Sequence, residues 1–341
     1  MLDNPLGLNG IKFVEFTTSK PEALHQLFSD FGFSKIARHE TKNIAMYKQG
    51  HIVFLLNAEP NSFSADFESL HGPSISSMGW AFANPDEAYQ KALSRGAKPA
   101  RTSDYSLPNG KPVPAIMGIG DSLIYFVDSD MDIGFVTLQD PIFSPEKGFY
   151  CIDHLTNNVH KGTMESWASF YKEVFGFTEV RYFDIKGKKT GLTSYALRSP
   201  CGQFCIPINE ADEAKSQINE YLNEYKGPGI QHLAFLTNDL LDSITKLQQT
   251  NIKTLDIDPG YYVNAFAKLP NIKEDKELIQ KLNVLVDGDQ EGYLLQIFTK
   301  NLIGPIFIEL IQRNNHLSFG EGNFQALFDS IERDQIKRGV L

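Results

Sequence analysis

The chain is short of cysteine, histidine and basic residues, and it has no long apolar run. Its three cysteines, Cys151, Cys201 and Cys205, are odd in number and form no CxxC pair. That argues against a disulfide framework or a zinc knuckle and suits a reducing compartment. No apolar stretch approaches the roughly 20 residues that cross a bilayer. The opening MLDNPLGLNG has no basic start followed by an apolar core, so no secretory leader is expected. Lys and Arg number 32 against 42 Asp and Glu, a net charge of −10. Such a surface disfavours nucleic acid and anionic membrane as partners. A cytoplasmic protein is the expectation.

What is present is ordinary globular composition, 341 residues with 42% hydrophobic, enough for two domains. Phenylalanine is plentiful at 25 residues, which would suit an aromatic-lined pocket.

A weak internal repeat organises the chain. Ile11-Lys12-Phe13-Val14-Glu15-Phe16 opens the first half and is followed by a helix signal and Phe31-Gly32-Phe33. Ile152-Asp153-His154-Leu155-Thr156-Asn157 opens the second and is followed by a helical stretch and Phe175-Gly176-Phe177. Gly79-Trp80-Ala81-Phe82 and His232-Leu233-Ala234-Phe235 each precede a further helix. Read this way, strand, helix and several strands recur four times. The fold class is α+β, with four βαβββ modules pairing into two tandem open barrels. The Pro/Gly-rich stretch 140–148 marks the boundary, placing one domain at 1–145 and the other at 146–341.

Helix starts have local support. Ser19-Lys20-Pro21-Glu22 and Asn84-Pro85-Asp86-Glu87 read as capping boxes, Thr163 as a cap for 164–175, and Asp239 as the cap of the next helix. Strand-like runs follow at 52–56, 123–127, 192–197, 204–208, 293–298 and 307–311.

Only eight histidines occur, and two of them, His154 and His232, fall on strand-like runs at related places in the repeat. Glu309 sits in Ile306-Phe307-Ile308-Glu309-Leu310-Ile311. A carboxylate among apolar neighbours is costly to bury unless paired or metal-bound. By strand alternation it shares a face with Phe307 and Ile311, which makes exposure awkward. Two imidazoles and a carboxylate form the open-sided set of Fe(II) oxygenases, although zinc takes the same donors. Plainer readings compete: a core histidine held by hydrogen bonds, or a water-facing glutamate. In the first half, Phe13 and Gly79 stand where His154 and His232 would be, so that half reads as a structural copy without chemistry.

Further blocks make the chain recognisable. Gly229-Ile230-Gln231-His232-Leu233-Ala234, Leu294-Leu295-Gln296-Ile297-Phe298-Thr299-Lys300, Phe307-Ile308-Glu309-Leu310-Ile311-Gln312-Arg313 and the tail 319–328 occur in order. The sequence resembles the 4-hydroxyphenylpyruvate dioxygenase family of the vicinal-oxygen-chelate superfamily. The resemblance implies Fe(II) held by His154, His232 and Glu309, one per subunit. It implies Ser194, Asn209, Gln217 and Gln296 as polar groups of the substrate cavity. Phe298, Phe324 and Phe328 would flank the substrate ring, Gln231 would tune the metal from beside His232, and a C-terminal helix would close the site. The implied substrates are 4-hydroxyphenylpyruvate and O2, with no separate 2-oxoglutarate. A homo-oligomer, dimer or tetramer, is also implied. Alternatives on the same scaffold are 4-hydroxymandelate synthase, a metal-free binding protein and a zinc or nickel isomerase of glyoxalase type.

Overall fold

The computed structural model describes residues 3–339 apart from 129, 131, 187–190, 212 and 270. Sixteen strands among these residues form two eight-stranded sheets. The first contains β1 (Leu8–Thr17), β2 (Ser34–His39), β3 (Ile44–Gln49), β4 (Ile52–Asn57), β5 (Ser74–Phe82), β6 (Ala115–Met117), β7 (Leu123–Val127) and β8 (Phe135–Ile142). The second contains β9 (Phe149–Asn158), β10 (Thr178–Lys186), β11 (Gly191–Arg198), β12 (Cys205–Glu210), β13 (Gly229–Thr237), β14 (Leu285–Gly288), β15 (Tyr293–Phe298) and β16 (Phe307–Asn314). Helices α1 (Pro21–Asp30), α2 (Phe63–His71) and α3 (Pro85–Ser94) belong to the first half. The second has α4 (Met164–Phe170), α5 (Gln217–Tyr225), α6 (Leu240–Leu247), α7 (Gly260–Lys268), α8 (Lys276–Lys281) and the terminal α9 (Phe324–Arg338).

The second sheet has the order β10-β11-β12-β9-β13-β16-β15-β14, two complete βαβββ units joined back to back through antiparallel β9 and β13. The first sheet repeats this through β1 and β5, but its second unit keeps only β5, β7 and β6. A single bridge from Pro99 to Ile116 lies outside β6, and β8 instead pairs with β2 at the other edge.

Caps follow the local chemistry in two of the four places expected. Asn84 accepts from the Glu87 N–H at 3.2 Å, and Asp239 accepts from the Asp242 N–H at 3.0 Å. Ser19 does not cap α1: its hydroxyl reaches Glu68, and Lys20 holds the cap position without a side-chain bond. Thr163 likewise turns back to the His160 carbonyl, and α4 runs on from Phe170 into a wider π-turn over Tyr171–Phe175.

The sheet registers correct one equivalence. On β9 and β13, Ala234 pairs with His154 and Phe235 with Ile152, leaving Asp153 as an extra, bulged residue. Likewise Ile230 pairs with Asn157 and His232 with Thr156, so Gln231 is bulged. The first sheet bulges at the matching residues, Lys12 on β1 and Ser76 on β5. His154 therefore corresponds to Phe13, but His232 corresponds to Ser77, not Gly79. Gly79 matches Ala234, and Tyr125, its partner on β7, takes the place of Glu309.

The halves interlock reciprocally. Trp80 on β5 meets Phe175, Phe204 and Phe177 of the second half at ring separations of 4.9, 5.4 and 5.9 Å. Its counterpart Phe235 on β13 meets Phe31, Phe54 and Phe33 of the first at 5.7, 5.8 and 5.9 Å. Both Phe-Gly-Phe motifs thus serve as sockets for the other half. Their glycines have left-handed φ values, +87° at Gly32 and +81° at Gly176. A Cβ on either would strike the backbone or ring of a distant segment, the connection Pro145–Lys147 between the halves over Gly32 and the first-half segment Asp3–Pro5 over Gly176.

Candidate active site

The two cups are filled differently. In the first, Phe13, Leu55, Tyr105, Val113, Leu123 and Tyr125 pack as one buried cluster. Glu15 lies among them, accepting hydrogen bonds from Asn57 at 2.6 Å, Tyr105 at 2.7 Å and Ser77. In the second, only Ala234, Leu294 and Ile311 among the described residues, with Leu236 beside them, form such a cluster inside the sheet. A cavity of about 80 Å³ remains.

His154 from β9, His232 from β13 and Glu309 from β16 meet at this cavity, all buried. Among the described residues they are the one group of His, Cys, Asp or Glu able to share a metal, with ligand atoms within 4.8 Å of one another. Glu309 Oε2 lies 3.1 Å from His154 Nε2 and 3.4 Å from His232 Nε2. Glu309 Oε1 is buried with no protein partner. A buried carboxylate oxygen left so is expensive, and a cation between the three groups satisfies it. Two neutral imidazoles and one carboxylate on one side leave the remaining coordination positions facing the cavity.

The bulges orient the ligands. Strand alternation would turn a residue next to a ligand away from it, but the extra residue restores it to the same side. The His154 Nδ1 lies 2.8 Å from Asp153 Oδ2, and the His232 Nδ1 lies 3.1 Å from Gln231 Oε1. Both partners accept, so each ring carries its proton on Nδ1 and presents Nε2 to the centre. Burial alone would lower the His154 pKa, but Glu309 and Asp153 outweigh it and raise it to about 9. Burial lowers that of His232, more than Glu309 raises it. Burial pushes the Glu309 carboxyl up, but the charges and hydrogen bonds of His154 and His232 together outweigh it and hold it below its ordinary value.

Polar side chains of Ser194, Asn209, Gln217, Gln231 and Gln296 line the cavity, as do the rings of Phe298 and Phe328. Ser194 and Asn209 are direct neighbours across β11 and β12. Gln296 receives a long bond of 3.4 Å from Asn323. Phe298 pairs across the ladder with Glu309. The side chain of Phe324 lies outside the described residues. Helix α9 covers the opening with Leu327, Phe328 and Ile331. It is tied down by Ser330 to the Asp256 carbonyl at 2.9 Å and by Gln335 to Glu220 at 2.7 Å. Ile336, five residues beyond Ile331 on α9, is half exposed.

Two further rings belong to the wall. Phe307 stacks on His232 at 4.7 Å, and Phe319 meets His154 edge-on at 5.5 Å. Phe307 was legible only as a neighbour of Glu309 on its strand. Phe319 precedes α9 in an irregular segment, where no periodicity points it anywhere.

A family profile described as "Hydroxyphenylpyruvate dioxygenase, HPPD, N-terminal" matches residues 2–154. One described as "Glyoxalase/Bleomycin resistance protein/Dioxygenase superfamily" matches residues 152–269. Protein MelA of Shewanella colwelliana is 58% identical, covering 99% of both chains. The 4-hydroxyphenylpyruvate dioxygenase of Legionella pneumophila (strain Corby) is 43% identical over 99% of this chain and 98% of its own. The chain belongs to the 4-hydroxyphenylpyruvate dioxygenase family. A solved structure of a mutant 4-hydroxymandelate synthase from Streptomyces coelicolor superposes with a TM-score of 0.82. It covers 96% of this chain and 99% of its own at 24% identity, a likeness of fold alone. Within the 4-hydroxyphenylpyruvate dioxygenase family this chain keeps a three-ligand metal centre in its second half, and the first half has Phe13, Ser77 and Tyr125 at the matching places.

Proposed function

We propose that the chain is an Fe(II)-dependent dioxygenase that converts 4-hydroxyphenylpyruvate and O2 into homogentisate and CO2. The observation that carries this reading is a two-histidine, one-carboxylate centre opening into a cavity walled by phenylalanines, in a member of this family. Fe(II) held by His154, His232 and Glu309 would chelate the 2-oxo acid and activate O2. Both oxygen atoms end in the products, one in the carboxylate left by loss of CO2 and one on the ring. The oxo acid supplies the electrons, so no separate 2-oxoglutarate is required.

The chain's own residues bind, orient and exclude water. Phe298, Phe319 and Phe328 would hold the ring by its faces and edges. Ser194, Asn209 and Gln217 would accept or donate at the phenol. Gln296 would act from the β15 side of the cavity, and α9 would keep bulk water from the reacting atoms. Phe324, at the start of α9, would complete the ring contacts. The three free cysteines suit a cytoplasmic setting, where the protein would act as a homo-oligomer.

The test is anaerobic loading with Fe(II), addition of 4-hydroxyphenylpyruvate, then O2. Homogentisate and CO2 in equal amounts, with matching O2 uptake, are expected. A 4-hydroxymandelate product would overturn the choice of reaction, and no O2 uptake would overturn the enzyme reading.

A further inference from the structure

We infer that Asp153 and Arg313 form a positioning pair that sets the His154 ring for the metal and couples it to the segment that closes the pocket. The inference rests on His154 being a metal ligand. Arg313 lies on β16 four residues beyond Glu309, on the same face. Its Nε donates to Asp153 Oδ1 at 2.7 Å and its Nη2 to Asp153 Oδ2 at 2.8 Å. This is a two-pronged bond between side chains only 13% and 12% exposed. Asp153 Oδ2 is also the atom that accepts from His154 Nδ1. The carboxylate is therefore held from one side while it aims the imidazole from the other.

The remaining arm of Arg313 points elsewhere. Its Nη1 donates to the carbonyls of His316 at 3.0 Å and Ser318 at 2.6 Å. The guanidinium also lies 5.9 Å from the centre of the Phe319 ring, the ring that meets His154 edge-on. One side chain thus ties the ligand's partner to the turn carrying a wall residue of the pocket, just ahead of α9. The first half supports a role specific to the ligand. Its equivalent strand keeps the bulge but places Lys12 there, beside Phe13.

The two imidazoles are consequently supported unequally, His154 by a charged carboxylate and His232 by the neutral Gln231 amide. An ionised partner makes a ligating imidazole a better donor and fixes its orientation more firmly. A displaced Arg313 would release both effects together.

Metal affinity without substrate separates this from a purely structural clasp. Co(II) is titrated into the metal-free full-length protein against a chromophoric chelator, and the Co(II) absorption bands are recorded. Asp153→Asn is expected to weaken Co(II) binding by about 10–100-fold and to shift the bands. Arg313→Lys should weaken it less, and the double variant should fall short of the product of the two single effects, since both act through one ring. In the unaltered protein, Co(II) should slow hydrogen exchange of the amides at 315–320, and in Asp153→Asn it should not. Unaltered affinity and bands in Asp153→Asn and Arg313→Lys would overturn the positioning role, even if both variants unfold at lower temperature. Absence of the metal-induced slowing in the unaltered protein would overturn the coupling. His154→Ala serves as the reference: if it too retains full Co(II) affinity, the ligand assignment itself has failed.

Discussion

Glu309 and Glu15 are buried carboxylates in equivalent cups with opposite fates. Glu309 is flanked by two imidazoles and keeps its charge, whereas Glu15 is pushed to a pKa of about 7 by burial and by the nearby Asp104. For Glu309, replacement by Gln keeps the size and removes the charge. Glu309→Gln should lose most bound iron while its circular dichroism stays unchanged, and metal analysis of the purified variant checks this. For Glu15, the folded state binds its proton more tightly than the unfolded chain, whose value is near 4.5. Its contribution to stability is therefore fully present below about pH 4.5, is lost as pH rises towards 7, and is flat above. The loss amounts to about 3 kcal/mol, at about 1.4 kcal/mol per unit. Glu15→Gln can still accept from Asn57 and Tyr105 and donate to Ser77. It should match the parent protein at pH 5 and exceed it at pH 8 in urea unfolding; equal stability at both values would refute the buried, protonated state.

At the scale of strands and helices, bulges decide what a position means. The ligands themselves could be read from sequence, because a charge within Ile306–Ile311 and two strand-borne histidines stand out against their surroundings. Matching His232 to Gly79 failed because one extra residue per strand shifts the register, and nothing in the local composition of Gln231 or Ser76 signals a bulge. The Asp153–Arg313 pairing was equally hidden: the partners are 160 residues apart, and alternation alone would aim Asp153 away from its histidine. Tyr105 and Asp104, which fill the first cup, come from an irregular segment without periodicity. Gly79 does have a role, as the space that admits Phe13, whose ring would lie 2.2 Å from an added Cβ. Gly79→Ala should cost about 1–3 kcal/mol by overpacking, with iron content unchanged. Adding Phe13→Leu to that variant should recover part of the loss in thermal unfolding. No recovery would mean that another neighbour sets the limit.

For the whole molecule, one core spans both halves. Phe54, Trp80, Phe175 and Phe235 all belong to it. Metal bound in the second cup should therefore stabilise the entire chain. At a free metal concentration 100 times the dissociation constant the gain is about 2.7 kcal/mol, enough to raise the melting temperature by several degrees. Calorimetry should show a single transition that moves as a unit on adding metal. Two transitions, only one of them metal-sensitive, would contradict the shared core. The overall plan was visible in the repeat, since Phe-Gly-Phe recurs after the first helix of each half. What those motifs do was not visible, because their partners Trp80 and Phe235 approach from the far half of the chain.

That exchange of aromatic rings bears on how such a protein can change over time. Trp80 lies one residue from Gly79 on β5, and Phe235 one residue from Ala234 on β13, so neighbouring side chains leave opposite sides of one strand. The outward side binds the halves together; the inward side faces the cup. The half with Phe13 and Ser77 in place of histidines is thus joined to its twin by side chains that take no part in lining its cup. The silent half remains a permanent partner for the active one, free to drift within while its outer surface is held in place.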